Sequence, residues 1–225
     1  MMGEGSSVFD MIGPVMIGPS SSHTEGVVRI ARTVVKIMGG IPDNVDITFY
    51  NSFAQTHKGH GSDKAIVAGL LYYAEDDKRV RESFENAEKK RLKFTFRSAG
   101  NASTMHPNTI RIKAVKNRDT LELVGESRGG GVIRIKEFNG FITTFTTSLN
   151  TLIITAVDTK GSIAYLANVL SRDDSNIAAM TVSRKGKNDV ACQIIEMDSR
   201  LRSLTHDYLK SLNWVHEVNY IPAID

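Results

Sequence analysis

Cysteine is almost missing from this sequence. The one thiol in 225 residues, Cys192, excludes a disulfide within the chain. It also excludes a metal cluster held by this chain's thiolates alone, since such clusters commonly take several. Cys192 stands in the apolar, alternating stretch Val190-Ala191-Cys192-Gln193-Ile194-Ile195, where packing is the expected role. No apolar run approaches the roughly 20 residues that span a bilayer, so no membrane partner is expected. Met1–Gly5 lacks the basic start and apolar stretch of a signal peptide, which points to the cytoplasm. Charge of one sign is scarce too: 28 Lys and Arg against 25 Asp and Glu leave a net +3. The densest basic run, Lys89-Lys90-Arg91-Leu92-Lys93, reads as a solvated helix end leading into a strand. No larger basic face with stacking aromatics accompanies it, so nucleic acid is not an expected partner.

What is present suits an ordinary globular protein, with 41% hydrophobic and 24% charged residues. The pattern divides near Ser148–Asn150 into domains 1–148 and 149–225, and the class is mixed α+β. In the first part Val27, Ile30, Ala31, Val34, Val35 and Met38 recur at helical spacing. Ser22 and Glu25 fit a capping box at that helix's start, and Gly39-Gly40 ends it. Further elements are a strand at Asp46–Tyr50, a helix that Ser62 caps, a polar helix at Arg79–Lys90, and strands at Leu92–Arg97, Thr109–Lys116, Leu121–Glu126 and Val132–Phe138. The second part reads as βαββαβ: Leu152–Val157, a helix from Gly161-Ser162, strands Ile177–Ser183 and Val190–Met197, a helix at Leu204–Leu212 and a strand at Val215–Tyr220.

Three constellations carry chemistry, and all fall at strand ends, where α/β sheets collect ligands. Gly18-Pro19-Ser20-Ser21-Ser22-His23-Thr24 puts hydroxyls, free backbone N–H groups and an imidazole at a helix N-terminus. Such an end suits a carboxylate or phosphate, and His23 can move a proton near neutral pH. Capping alone accounts for Ser22, but three serines before a histidine exceed what a cap requires. Thr56-His57-Lys58-Gly59-His60-Gly61-Ser62 offers two histidines, a lysine and a serine, with glycines that let backbone approach a ligand. A strand-to-helix turn is the plain alternative, and a metal reading of His57 and His60 lacks a third ligand nearby. His106-Pro107-Asn108-Thr109 is a stiff turn whose His106 and Asn108 can face a ligand. Gly129-Gly130-Gly131 is a turn or a backbone anion cradle.

Ser7-Val8-Phe9-Asp10-Met11-Ile12-Gly13-Pro14 followed by Gly18-Pro19-Ser20-Ser21-Ser22-His23-Thr24 resembles the start of bacterial iron–sulfur L-serine dehydratases. Gly59-His60-Gly61-Ser62-Asp63, His106-Pro107-Asn108-Thr109 and Gly129-Gly130-Gly131 match as well, so the resemblance covers most of Ser7–Phe141. Residues Leu152–Tyr220 resemble an ACT domain, a ferredoxin-like module that commonly senses amino acids. The family's Gly-Pro after the His-Thr pair is replaced here by Glu25-Gly26.

The resemblance implies an allosteric-substrate-binding-like first domain, also seen in some D-3-phosphoglycerate dehydrogenases, followed by the ACT domain. It implies an L-serine ammonia-lyase that makes pyruvate and ammonia with a [4Fe–4S] cluster. The cluster's cysteines would belong to a separate alpha subunit, this chain being the beta subunit and holding no metal; a monovalent cation is a further cofactor to expect. On that footing His23, Ser21 and Thr24 are the catalytic candidates. Ser20, Ser22, His57, Lys58, His60, Ser62, His106 and Asn108 are the substrate-binding candidates, and Asp158, Gly161 and Ser162 the effector-binding ones. Self-association is expected through the ACT domain. Two other readings stand beside this one. In one the chain is a purely regulatory serine-binding and oligomer-forming subunit. In the other it is a free-standing Ser–His lyase or hydrolase, although the sequence shows no strained nucleophile elbow.

Overall fold

The computed structural model describes residues 21–102 and 104–224, with the backbone alone for Ser21, Ser22 and His23. The chain divides into two units, 1–139 and 140–225, nine residues before the division the sequence pattern suggests.

In the first unit, α1 (Ser21–Ile37) leads through Gly39-Gly40 into β1 (Asn44–Phe49). Both glycines have positive φ, 62° and 145°, a region open to glycine and strained for other residues. The chain reverses there, so the start of α1 and the end of β1 lie at one end of the unit. Helices α2 (Asn51–Thr56), α3 (Ser62–Leu70) and α4 (Ser83–Lys89) follow, the last preceded by a 3₁₀ turn at Lys78–Glu82. Then come β2 (Lys93–Ser98), β3 (Thr109–Lys116), β4 (Asp119–Gly129) and β5 (Val132–Phe138). Within this unit the strands lie in the order β2-β1-β3-β4-β5. β1 pairs with β2 in parallel, and β1–β3, β3–β4 and β4–β5 are antiparallel. Alternation puts Val45, Ile47, Phe49, Ile110, Ile112, Leu123 and Ile135 on buried positions. The polar set includes Asp46, Arg97, Arg111, Lys113, Glu122 and Glu137, joined by ion pairs.

Two close approaches fix α1. Beneath Gly26, an added Cβ would lie 2.0 Å from Ser127 Oγ, on β4; beneath Gly69 of α3, one would lie 2.5 Å from Val28 O and 2.6 Å from Ala31 Cβ, on α1. Three residues beyond Gly69, Tyr72 lies under the cations of Arg32 and Lys36. Contacts therefore advance along both helices together. α1 and α3 run in the same sense, and their N-termini lie toward the same end.

In the second unit β6 (Phe141–Phe145) precedes β7 (Asn150–Val157), α5 (Ser162–Arg172), β8 (Ile177–Arg184), β9 (Val190–Met197), α6 (Ser203–Ser211) and β10 (Val215–Ile221). The last six make a four-stranded antiparallel sheet in the order β10-β7-β9-β8, the ferredoxin-like arrangement. Its core joins Leu152, Ile154, Leu166, Leu170, Ile195, Met197 and Leu209. β6 belongs here: Ser183 Oγ of β8 donates to Ile142 O, and Thr181 Oγ1 donates to Thr144 O at 3.4 Å. The fold class is thus mixed α+β, as the sequence indicates.

Several boundaries differ from expectation. α2 and β6 were not foreseen, and the single polar helix expected at Arg79–Lys90 is a 3₁₀ turn followed by α4. Gly69→Ala will force backbone apart where α1 meets α3. It is expected to lower unfolding free energy by about 1–3 kcal/mol, the usual cost of overpacking, measured by urea denaturation.

Candidate functional site

The end of the first unit at which β1 and β4 finish and β3 begins gathers the sequence motifs. α1 begins there, and α2 follows β1 at once. Ser62 N–H donates to His57 O at 2.9 Å, Phe53 N–H to Pro107 O at 3.4 Å, and Ser127 N–H to Asn108 O at 3.0 Å. One hydrogen-bonded frame thus joins the His57–Ser62 turn, the His106–Asn108 turn and the end of β4.

Thr24, in the first turn of α1, is 1% exposed, and Ser62, the first residue of α3, is 0% exposed. Neither Oγ has a hydrogen-bond partner among the described residues. A buried hydroxyl left without a partner costs roughly 1–3 kcal/mol, which makes these two candidates for donating to a ligand. Each helix start adds partial positive charge. Ser62 is not the cap the sequence suggests: Gly61, left-handed at φ 71°, is the cap residue, and no side chain closes it.

Glu25 also departs from expectation. Its carboxylate does not complete a capping box. It is 0% exposed, lies 3.3 Å from Arg29 Nη2, and stands where a Cβ on Gly131 would collide with it. Burial pushes its pKa up; Arg29 opposes this and Glu75 adds to it. The Gly129–Gly131 turn, with φ of 94°, 56° and 75°, lies against this carboxylate.

The third turn is held by a residue that the sequence reading passed over. Asn51, at φ 50°, donates through Nδ2 to Ala102 O at 3.1 Å, Met105 O at 3.0 Å and His106 O at 3.3 Å, and accepts from Ala102 N–H at 2.6 Å. Asparagine tolerates this conformation; an asparagine directly after a strand was the available signal. Thr109 Oγ1 also donates to His106 O, at 2.7 Å. His106 is half-buried, and its Nδ1 accepts from Asn108 N–H at 3.1 Å. Burial holds its pKa below the ordinary imidazole value, Arg128 lowers it further, and Glu126 opposes. Glu126 and Arg128, paired at 2.8 Å, are charged neighbours that no local motif announced.

The other candidates divide. Ser20 and the side chains of Ser21, Ser22 and His23 lie outside the described residues. His57 turns inward: its ring stacks on Phe49 at 4.6 Å, and Nδ1 donates to Phe53 O at 3.1 Å, leaving Nε2 for any ligand. Lys58 is exposed, and His60 and Asn108 are half-buried. Among the described residues no three of His, Cys, Asp or Glu are grouped to hold a metal ion. Cys192 is buried, chiefly burial pushes its thiol up to about 12, and metal ligation needs the thiolate. This chain's described residues do not fit an iron–sulfur cluster.

In the second unit, Asp158 Oδ2 accepts from Arg184 Nη1 at 3.3 Å and from Asn188 N–H at 3.2 Å. Gly161 is the left-handed cap of α5. Ser162 Oγ accepts from the buried Gln193 at 3.4 Å. Asp158 therefore ties the β8–β9 hairpin to the end of β7.

These features define a class: a mixed-sheet domain with two helix N-termini and two histidine-bearing turns toward one end, followed in the chain by a ferredoxin-like module. The chain belongs to the serine dehydratase beta chain family, whose pattern matches residues 7–137. It is 41% identical to the probable L-serine dehydratase beta chain of Bacillus subtilis, over 96% of this chain and 97% of that one. It is 32% identical to the L-serine dehydratase beta chain of Peptoniphilus asaccharolyticus, over 87% and 88%. A D-3-phosphoglycerate dehydrogenase of Bacillus subtilis is 28% identical over 72% of this chain and 30% of its own length. A crystal structure of the ACT domain from the GTP pyrophosphokinase of Chlorobium tepidum is 19% identical, covering 32% of this chain and 95% of its own, with a TM-score of 0.28. No helix among the described residues is long and apolar enough to cross a membrane.

Glu25 supplies a pH test. Its raised pKa means that the folded chain keeps a proton which the unfolded chain has lost, so this residue makes stability fall as pH rises from about 4.5 through the folded value. Glu25→Gln is expected to flatten that slope in denaturant melts between pH 4 and 8. A slope unchanged from wild type would show that Glu25 titrates alike in both states.

Proposed function

We propose that this chain works as the beta subunit of a two-chain L-serine dehydratase, which deaminates L-serine to pyruvate and ammonia. The observation that carries the reading is the pair of buried hydroxyls, Thr24 and Ser62, which find no hydrogen-bond partner among the described residues and stand in the first turns of α1 and α3. A substrate carboxylate is the acceptor they lack. Ser20 and Ser21 extend the donor set, and His23 orients the substrate or carries a proton. The beta-chain names of the two full-length relatives support the subunit assignment.

Serine presents a weakly acidic Cα–H beside its carboxylate. Donors around that carboxylate stabilise the charge that builds on it as the proton leaves, and a positioned base must take the proton. Binding, orientation and this charge stabilisation are the part assigned to this chain. The [4Fe–4S] cluster is assigned to an alpha subunit, because the single, buried Cys192 does not suit one, and no step of this chain is derived through it. Self-association by the second unit, an amino-acid effector near Asp158–Ser162 and a monovalent cation complete the proposal.

The test is anaerobic co-purification with the large subunit, followed by an iron count and a pyruvate assay. Thr24→Val and Ser62→Ala remove hydroxyls that no described residue satisfies. Each variant is expected to be no less stable than wild type, and up to about 3 kcal/mol more stable because an unsatisfied buried hydroxyl is removed, while raising KM for serine about tenfold, the loss of one charge-assisted hydrogen bond. An unchanged KM in both would remove the carboxylate site from this chain. Full activity from this chain without iron would remove the partner.

A further inference from the structure

Resting on the shared serine site just described, we propose that His106 serves it as a neutral imidazole whose Nε2–H donates to a carboxylate oxygen of the substrate. Asn108 N–H points at His106 Nδ1 from 3.1 Å. A backbone amide can only donate, so Nδ1 is the unprotonated nitrogen. In the neutral ring the proton then sits on Nε2, which makes that atom a donor. Protonating Nδ1 would set two N–H groups against each other, so the bond that fixes the tautomer also opposes the cationic form.

The turn is built to keep this arrangement. Asn51 Nδ2 and Thr109 Oγ1 hold the His106 carbonyl, and Asn51 also holds the carbonyls of Ala102 and Met105. The Asn108 carbonyl is tied to β4 through Ser127 N–H. The charged groups bearing on the ring are Arg128, which disfavours the imidazolium, and Glu126, which favours it. These two pair with each other at 2.8 Å, and burial disfavours the imidazolium more than Arg128 does.

A neutral N–H stabilises the charge that loss of the Cα proton pushes onto the carboxylate, without the desolvation cost that a partly buried cation would carry. No proton leaves His106 in this role: Nε2 keeps its hydrogen, and a separate base takes the Cα proton.

Two measurements test the proposal. In the paired enzyme, His106→Ala is expected to lower kcat about 100-fold, the usual cost of losing one such donor. His106→Gln, which offers an N–H but no titrating nitrogen, is expected to retain at least about tenfold more kcat than the alanine variant, with the pH profile of kcat/KM unchanged. Nitrogen-15 spectra of the histidine-labelled chain are expected to show the Nε2–H tautomer at pH 7, with a titration midpoint below the ordinary imidazole range. An Nδ1–H tautomer, or a midpoint at or above that range, would overturn the proposal. So would equal losses in the two variants with one limb of the pH profile gone, which would make His106 a titrating acid or base. Two silent variants would also end it. If Thr24→Val and Ser62→Ala were silent too, the site reading itself has failed; if those two raise KM, only the role of His106 has.

Discussion

The close approach of α3 to α1 at Gly69 is the constraint on which the site depends. No side chain fits there, since a Cβ would overlap Val28 O and Ala31 Cβ. Two helices touching at backbone distance cannot slide past one another. Gly26 fixes the same helix against Ser127 on β4, and Gly125, also on β4, receives Ile30. With α1 held between α3 and the sheet, the first turns of both helices fall at the end where β1 and β4 finish. That placement, more than any one side chain, assembles Thr24, Ser62 and the His106 turn.

The donors assembled there are neutral or partial charges: hydroxyls, helix N–H groups and, under the proposal, an imidazole without charge. Burying a full cation would demand a permanent partner, and a paired cation has little left for a substrate. The charged residues beside the site follow that logic. Arg128 is taken by Glu126, and Arg29 stands between Glu25 and Glu75. They shift the titration of their neighbours Glu25 and His106. Glu25 is the exception in one respect, a carboxyl kept out of water with incomplete compensation. It stands where the family's Gly-Pro would be and fills the space under Gly131.

Much of this was legible in sequence because periodicity reports burial. The α1 positions Val27, Ile30, Ala31 and Val34 are fully buried, and Thr109–Lys116, Val132–Phe138 and Val190–Met197 are strands with the bounds expected. The illegible parts are those decided by contacts distant in sequence. α2 is six residues long, and tertiary anchors hold it, including Phe53 N–H on Pro107 O. β6 follows Gly140 so closely that it reads as a continuation of the first part, yet its carbonyls are met by Ser183 and Thr181. Ser62 and Glu25 look like caps because local rules see only neighbours in sequence; Gly61 and Arg29 changed their roles. His106 was visible as a residue type, but its tautomer is set by a backbone amide, which no residue identity announces.

The chemistry of this chain is one-sided, and that gives the two-chain reading its force. Donors around a carboxylate make the neighbouring Cα–H easier to remove, but they do nothing for the hydroxide that must leave from Cβ. Expelling hydroxide calls for a separate electrophile. The only thiol here lies within β9, opposite Thr155 of β7, where burial holds it protonated far above neutral pH. It cannot be recruited without opening the strand pair at the centre of the second unit's sheet. Under the proposed function, this subunit's part is to bind and polarise the substrate, and the electrophile is left to another chain.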